Sequence, residues 1–173
     1  MPVKLKLLVD FNAANLADDS LLHGWKIITD AVMGGCSSGD FRIMATGTAC
    51  FSGHVSLKNN GGFVTTRAAI SQSIDNKYQG IAIRVLGDGN LYSFRIKTSH
   101  MSNDIQFKQE FETHADTWQS IKLAFKDFEA VYRGKPINDA PKLIQEEIKE
   151  LGFLIANKQS GDFSLIISSI GLY

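Results

Sequence analysis

Short apolar runs alternate along the chain with glycine-rich and polar connections, a pattern typical of β-strands rather than helices. The two clearest runs are Gly80 to Leu86 and Leu91 to Thr98, in which apolar and polar residues alternate. Turn-forming residues from Gly87 to Asn90 separate them, so the sequence predicts a β-hairpin here. Because side chains alternate along a strand, Ile83 and Phe94 are expected to face a core.

Further runs have the length of a strand and are bounded by turn-forming residues. They lie at Leu5 to Phe11, Trp25 to Thr29, Phe41 to Ala45, Thr48 to Phe51, His54 to Leu57, Phe63 to Ile70, Gln106 to Phe111, Trp118 to Phe125, Phe153 to Ala156 and Phe163 to Ile170. Many short strands without an internal repeat predict an all-β sandwich. The length fits one domain, so we predict a single domain over residues 1–173.

One segment breaks the two-residue period and predicts a short helix near residues 141–151. Apolar side chains recur there at helical spacing, and Pro141 suits a first helical turn. Asp139 is a candidate cap, and Gly152 is expected to end the helix.

The charge balance limits the classes of partner. Lys plus Arg number 18 and Asp plus Glu also number 18, so the formal net charge is +0. A neutral chain favours neither nucleic acid nor an anionic membrane surface. No apolar run has the length of a membrane span, and the first residues resemble a strand more than a leader. We therefore expect a cytoplasmic protein without membrane insertion, in which Cys36 and Cys50 are reduced thiols.

The stretch from Asp30 to Arg67 contains two adjacent glycine pairs, with strand-length runs between them. Glycine pairs permit turns at positive φ and the close approach of another surface. Two interpretations stay open: the pairs make tight corners at strand ends, or they shape a binding rim. The candidate rim residues are Asp30, Met33, Gly34, Gly35, Ser37, Asn60, Gly62 and Phe63.

Arg67 shares a strand face with Phe63 and Thr65 by the two-residue period. If that face is the core, the guanidinium needs a partner, and Asp30 and Asp88 are the candidates. The first interpretation is therefore a buried Asp–Arg tie between the two glycine corners. The second is a ligand-facing Arg67 on the concave face of a sheet.

Three more residues complete the candidate binding set. Asp88, in a Gly-Asp-Gly segment, is most simply a residue of the hairpin turn. Tyr92 and Trp118 are either parts of the core or platforms on which a sugar ring stacks.

No set of residues indicates catalysis or a metal centre. The sequence contains no nucleophile elbow, no phosphate-binding loop and no zinc-protease helix, and Cys36 has no histidine tied to it in sequence. The histidines are scattered, at His23, His54, His100 and His114. Possible calcium ligands occur at Asp18, Asp19, Asn103 and Asp104, but nothing in the sequence shows that they converge. We predict a non-enzymatic chain with no cofactor and no metal.

Several of these motifs together resemble the complex I intermediate-associated protein 30 family. The matching segments are Asp30-Ala-Val-Met-Gly-Gly-Cys-Ser-Ser-Gly39, Phe51-Ser-Gly-His-Val-Ser-Leu57, Asn60-Gly-Gly-Phe63 with Arg67, Gly87-Asp88-Gly89 with Tyr92, Trp118-Gln119 with Phe125, Gly134, and Ile155 to Phe163. They span nearly the whole chain in the expected order, which makes the set more specific than any one glycine pair.

The resemblance implies a galactose-binding-like β-sandwich of jelly-roll type, in agreement with the strand pattern. It also implies a chaperone-like protein without catalysis, since the best-known members help to assemble respiratory complex I. A protein partner is therefore expected, and a short, bacterial-type member fits this chain. Carbohydrate-binding modules share the fold, so a carbohydrate or small-molecule ligand is the alternative.

Overall fold

The computed structural model describes residues 4–12, 24–102 and 104–173, and these fold into two antiparallel β-sheets that enclose an apolar core. The strands in chain order are β1 (Lys6–Asp10), β2 (Lys26–Thr29), β3 (Ser38–Ile43), β4 (Ala49–Val55), β5 (Val64–Ala69), β6 (Gly80–Leu86), β7 (Leu91–Thr98), β8 (Ile105–Glu112), β9 (Trp118–Ala124), β10 (Glu129–Tyr132), β11 (Lys135–Pro136), β12 (Ile148–Ile155) and β13 (Gly161–Leu172).

The two sheets draw strands from all parts of the chain. The first sheet has the order β3-β4-β13-β6-β9, with β1 also pairing with β13. The second sheet has the order β11-β10-β8-β7-β12-β5-β2. Short 3-10 turns lie at Asp30–Met33, Lys58–Asn60, Phe125–Asp127 and Gln145–Glu147.

The core lies between the inner faces of the two sheets. Alternate residues of β6 and β7 enter it, including Ile83 and Phe94 as the sequence pattern predicts. The Phe94 and Phe153 rings meet edge to face, with centroids 5.2 Å apart. The predicted all-β sandwich is confirmed.

The predicted hairpin between β6 and β7 is wrong, although both strands begin and end as expected. β6 pairs with β9 and β13 in the first sheet, whereas β7 pairs with β8 and β12 in the second. The connection from Gly87 to Asn90 therefore crosses from one sheet to the other. Alternation identifies the buried face of a strand but not its neighbour, which is why the pattern did not exclude a hairpin.

The predicted break between Thr48–Phe51 and His54–Leu57 is also wrong, since Ala49–Val55 is one continuous strand. Gly53 stands within it, opposite Gly39 of β3. A Cβ atom on Gly53 would lie 2.1 Å from the carbonyl oxygen of Ser38. This glycine permits a close strand approach instead of a turn.

The helix predicted near residues 141–151 does not form. A 3-10 turn occupies Gln145–Glu147, and Ile148–Ile155 forms a central strand of the second sheet. The register between β12 and β7 shifts between Ile148 and Glu150, as at a β-bulge. Because of this shift, Ile148 and Leu151 are both buried although they lie three residues apart, which imitates helical spacing.

Some sequence predictions lie outside the described residues. They concern the possible calcium ligands Asp18, Asp19 and Asn103 and the histidine at His23.

Candidate functional site

The carboxylate of Asp30 joins the two glycine corners. Asp30 is fully buried at the start of the 3-10 turn Asp30–Met33. Its Oδ1 accepts a hydrogen bond from the Ser37 backbone N–H at 2.9 Å, and its Oδ2 accepts one from the Ser37 hydroxyl at 2.5 Å. Oδ2 also accepts from the backbone N–H groups of Gly62 at 2.6 Å and Phe63 at 3.4 Å. We call Asp30, Ser37, Gly62 and Phe63 the Asp30 network.

Two glycines leave room for this carboxylate. A Cβ atom on Gly35 would lie 2.4 Å from Asp30 Oδ1, and one on Gly61 would lie 2.5 Å from Asp30 Oδ2. Gly34 has a different role, because its φ of +84° ends the 3-10 turn in the left-handed region. Each corner therefore needs a glycine for close packing against the same carboxylate.

Further hydrogen bonds extend the Asp30 network to the segment after β4. The Ser37 hydroxyl oxygen accepts a hydrogen bond from the Ser56 N–H at 2.9 Å. The Asn59 side-chain amide donates to the Gly34 carbonyl at 3.1 Å. Sequence reasoning selected Asn60 and missed Asn59; both have positive φ in the same short turn, so the sequence offers no signal that separates them.

Hydrogen bonding determines the ionisation of Asp30. Burial alone raises the pKa of this carboxyl group, but the bonds from the Ser37 side chain and from the backbone of Gly62, Ser37 and Phe63 favour the charged form. Together they hold the pKa of Asp30 below its ordinary value. The carboxylate is therefore charged at neutral pH and acts as a structural anion inside the protein.

Two large apolar side chains project from the turn that Asp30 anchors. Val32 is 75% exposed and Met33 is 66% exposed. We call this pair the Val32–Met33 tip. The Thr29 hydroxyl accepts a hydrogen bond from Ala31 N–H at the start of the turn, and Gly34 N–H donates to the Ala31 carbonyl at its end. The tip is thus an apolar surface feature on a well-bonded turn, and Val32 was not among the residues selected from the sequence.

Arg67 lies apart from the Asp30 network, so the predicted buried Asp–Arg tie is wrong. Val64, Thr66 and Ala68 of β5 face the core, whereas the buried Thr65 and the partly exposed Arg67 point to the opposite side of the second sheet. None of the ion pairs in the described ranges includes Arg67. Asp30 instead obtains its partners from backbone N–H groups and Ser37.

We call the outer side of the second sheet the polar face. It carries Lys26, Thr65, Arg67, Ser93, Arg95, Lys97, Gln106, Lys108 and Glu150. A shallow, open depression with an enclosed volume of only about 10 Å³ lies on it, lined in part by Arg67, Arg95 and Lys97. Arg95 and Lys97 were missed as candidates. The signal in the sequence that could have found them is the alternation along β7, where Arg95 and Lys97 share the polar side of a strand whose other side is strongly apolar.

Asp88 connects the two sheets rather than closing a hairpin. Its carboxylate accepts hydrogen bonds from the Ser164 N–H of β13 at 2.8 Å and from the Tyr92 hydroxyl of β7 at 3.0 Å. It also accepts from the backbone and side chain of Asn90. Burial, and then the nearby Asp88 charge, raise the pKa of Tyr92. Tyr92 is therefore a core residue with a buried hydroxyl, and its ring is not available for stacking on a sugar.

Trp118 lies on the outer side of the first sheet, away from the polar face. It is partly exposed on the edge strand β9, opposite Leu86. The Arg84 guanidinium lies over the indole ring, 5.5 Å from its centroid. The structure therefore brings together Asp30, Gly35, Ser37, Gly62 and Phe63, and it separates Arg67, Asp88, Tyr92 and Trp118 from them.

Within residues 4–12, 24–102 and 104–173 no group of three or more His, Cys, Asp or Glu side chains has the arrangement of a metal site. Both cysteines, Cys36 and Cys50, are free thiols. Among the described residues, no helix has the length and apolar character needed to cross a bilayer.

The fold is similar to solved carbohydrate-binding modules. A family 11 module from Clostridium thermocellum, solved with a β-1,3-1,4-mixed-linked tetrasaccharide, superposes with a TM-score of 0.71 at 19% identity, covering 99% of this chain and 96% of the module. An agarase superposes with a TM-score of 0.64 at 10% identity over 97% of this chain and 24% of the agarase. Such low identities establish the fold alone, and the predicted jelly-roll β-sandwich is confirmed.

This chain matches only part of the length of its sequence relatives. A Caenorhabditis elegans protein, named probable complex I intermediate-associated protein 30, mitochondrial, is 25% identical over 147 residues, covering 73% of this chain and 43% of that protein. An uncharacterised Schizosaccharomyces pombe protein is 27% identical over 106 residues, covering 54% of this chain and 48% of that protein. The chain thus spans less than half the length of these relatives.

The sequence model of one family matches residues 9–167. This range includes the whole Asp30 network, both glycine pairs, Arg67 and the Asp88 connection, which are the features that the resemblance in sequence rests on. The chain belongs to the complex I intermediate-associated protein 30 family.

Proposed function

We propose that this chain is a non-catalytic module that binds a protein during the assembly of a larger complex. Family membership supports a role in assembly, and complex I is the first complex to test because the family and its C. elegans relative are named for it. The predicted cytoplasmic location stays a prediction, and the same relative is named as mitochondrial.

The observation that carries the proposal is the Val32–Met33 tip. A fully buried, charged carboxylate and its hydrogen bonds hold a turn whose two largest side chains face outward. Because the turn is ordered before it meets a partner, little conformational entropy is lost on binding. Exposed Val and Met side chains suit an apolar cleft, since burying them releases water from apolar surface.

The polarity around the tip indicates the chemistry of the partner. The only charged group in the Asp30 network points inward, so the tip offers neutral, apolar contact at its end. Leu57, on the neighbouring corner, is another exposed apolar side chain. The partner surface is therefore expected to be an uncharged apolar cleft rather than a charged patch.

Affinity capture from the host, followed by mass spectrometry, tests the proposal. The test variant is the double substitution Val32→Ser with Met33→Ser. The control is Ile43→Ser with Met44→Ser, which makes the same kind of change at the other end of β3, where the side chains are 39% and 44% exposed. The tip variant is expected to lose about tenfold or more in partner recovery, as at a binding hot spot, with an unchanged melting temperature.

Two results would count against this function. Wild-type protein that recovers no reproducible partner argues against a binding module. A partner that is retained by the tip variant, or lost equally from the control variant, argues against the Val32–Met33 tip as its contact.

Carbohydrate binding is the second candidate, and the polar face favours it. A second depression, of about 120 Å³, adjoins the first and shares Arg95 with it. Among the described residues this face presents no exposed aromatic ring, so a sugar would be held by hydrogen bonds instead of stacking. A thermal-shift screen with neutral glycans, including the mixed-linked tetrasaccharide, tests it. No shift in the wild-type melting temperature would reject this candidate.

A further inference from the structure

Basic side chains form a row across the polar face. The strand register places Lys26 of β2 opposite Arg67 of β5, and Arg67 opposite Gly152 of β12. Gly152 also faces Arg95 of β7, which faces Lys108 of β8. We call these five residues the cationic row. Like charges side by side on a sheet destabilise it, so such a row needs an explanation.

Among the described residues of the row, direct carboxylate partners lie at the end near β8. Lys108 lies 3.5 Å from both Glu110 and Glu129. Neither Arg67 nor Arg95 takes part in any ion pair within the described parts of the chain. Among the described residues, neither arginine at the centre of the row therefore has a direct carboxylate partner, although the charge of Glu110 favours the charged form of Arg95.

The hydrogen-bond partners of Arg95 are polar but neutral. Its Nε donates to the Ser93 hydroxyl at 2.8 Å, and its Nη1 donates to the Gln106 amide oxygen at 3.3 Å. Burial lowers the pKa of Arg95 to about 10, with a partial offset from Glu110, so the side chain is still charged at neutral pH. A half-buried guanidinium with neutral partners is oriented and ready to accept an anion.

Gly152 leaves a gap between the two arginines. Two strand spacings separate the backbones of Arg67 and Arg95 by about 10 Å, and the residue between them in the register, Gly152, has no side chain. A Cβ atom on Gly152 would lie 2.4 Å from the Thr66 carbonyl oxygen, so the floor of this gap is backbone. The depression described above lies here, with Lys97 on its wall.

We propose that the cationic row binds a phosphate group, held between Arg67 and Arg95 above Gly152. Three cations, Arg67, Arg95 and Lys97, share the depression with one carboxylate, that of Glu150, which lies 3.8 Å from Lys97. A phosphate monoester carries about −1.5 to −2 charges at neutral pH and offers three acceptor oxygens, which matches this excess. The depression is shallow and open, so one such group lies over it on the surface, and a net charge of +0 does not favour a long polyanion.

Titration of the intact chain with inorganic phosphate tests the proposal, with sodium chloride adjusted to keep the ionic strength constant. Saturable binding is expected for the wild type. Arg67→Gln and Arg95→Gln are each expected to weaken it about tenfold or more, because each removes charge-assisted hydrogen bonds. If the half-buried Arg95→Gln variant does not fold, Lys97→Gln tests the same depression.

The matched control is Arg84→Gln, which removes the same charge from the outer side of the first sheet. Phosphate binding is expected to be unchanged in this control. Equal weakening in Arg84→Gln and Arg67→Gln, or no saturable binding by the wild type, would overturn the proposal.

Two further arms identify the source of the phosphate group. Tighter binding of glycerol 3-phosphate than of inorganic phosphate, lost in Arg67→Gln, indicates a small organic phosphate. Arg67-dependent sedimentation with phosphatidylcholine vesicles that contain phosphatidic acid indicates a lipid headgroup. Neither arm depends on the Val32–Met33 tip, so this proposal and the protein-binding function are tested separately.

Discussion

At the scale of single residues, the buried carboxylate of Asp30 joins distant parts of the chain. It accepts hydrogen bonds from residues seven and more than thirty positions further along the chain. Backbone N–H groups near chain corners would otherwise be buried without partners, at a cost of about 1–3 kcal/mol each. One charged side chain thus stabilises both glycine corners at once.

Replacement of this carboxylate is expected to destabilise the protein. Asp30→Asn keeps the side-chain size but turns an amide N–H group toward N–H donors, so we expect a loss of about 2–4 kcal/mol in the free energy of unfolding. Urea unfolding followed by circular dichroism measures it. Asp162→Asn is the control, since this side chain is 93% exposed, and it is expected to be neutral.

The same variant has a defined dependence on pH. The folded-state pKa of Asp30 is lowered, so its contribution to stability is complete above the unfolded pKa of about 3.9 and declines as pH falls through the folded value. The wild type should therefore lose stability in this acidic range more steeply than Asp30→Asn. Identical pH profiles for the two proteins would contradict the assignment.

At the scale of elements, β12 shows how a strand can carry a helical pattern. The shift in register between Ile148 and Glu150 makes two residues three positions apart face the same core. Pairing with β5 and β7 on both sides satisfies the backbone hydrogen bonds of this segment, which an isolated helix would satisfy internally. Non-local pairing therefore decides the conformation.

Two alanine substitutions distinguish the strand from the predicted helix. Leu151 is 0% exposed, so Leu151→Ala leaves a cavity in the core. This substitution is expected to lower the free energy of unfolding by about 2–5 kcal/mol. Ile144 is 43% exposed, so Ile144→Ala is expected to lower the free energy of unfolding by less than about 1 kcal/mol. Thermal unfolding measures both. Comparable losses would indicate that the two side chains share a buried helix face.

At the scale of the whole molecule, the Asp88 connection joins one sheet to the other. Its carboxylate binds β13 of the first sheet through the Ser164 N–H and β7 of the second through the Tyr92 hydroxyl. The chain crosses between sheets at this point, so these bonds position the sheets relative to each other.

A double-mutant cycle tests this link. Tyr92→Phe is expected to lower the free energy of unfolding by about 1 kcal/mol. Asp88→Ala is expected to lower it by about 3 kcal/mol, because it leaves both the Ser164 N–H and the Tyr92 hydroxyl without a partner. The combined loss should be smaller than the sum, because one interaction is shared. Additive losses in denaturant unfolding would show that Tyr92 and Asp88 are not coupled.

The sequence alone determined the fold class, most strand positions, and the faces of β6 and β7, because these follow from local alternation of apolar and polar residues. It also singled out Asp30 and both glycine pairs, but it left open whether they form corners or a binding rim and whether Arg67 is the partner of Asp30. Glycines signal where a backbone is unusual, but they do not reveal which group approaches it.

Tertiary structure decided which strands are neighbours, and this required contacts between distant parts of the chain. It placed β6 and β7 in different sheets, gave Asp30 its N–H partners, and aligned Arg67 with Arg95 across Gly152. Alternation has a period of two residues within one strand and contains no information about register with another. Neighbours and shared surfaces therefore follow from the free energy of the whole packed sandwich, and both proposed binding surfaces depend on it.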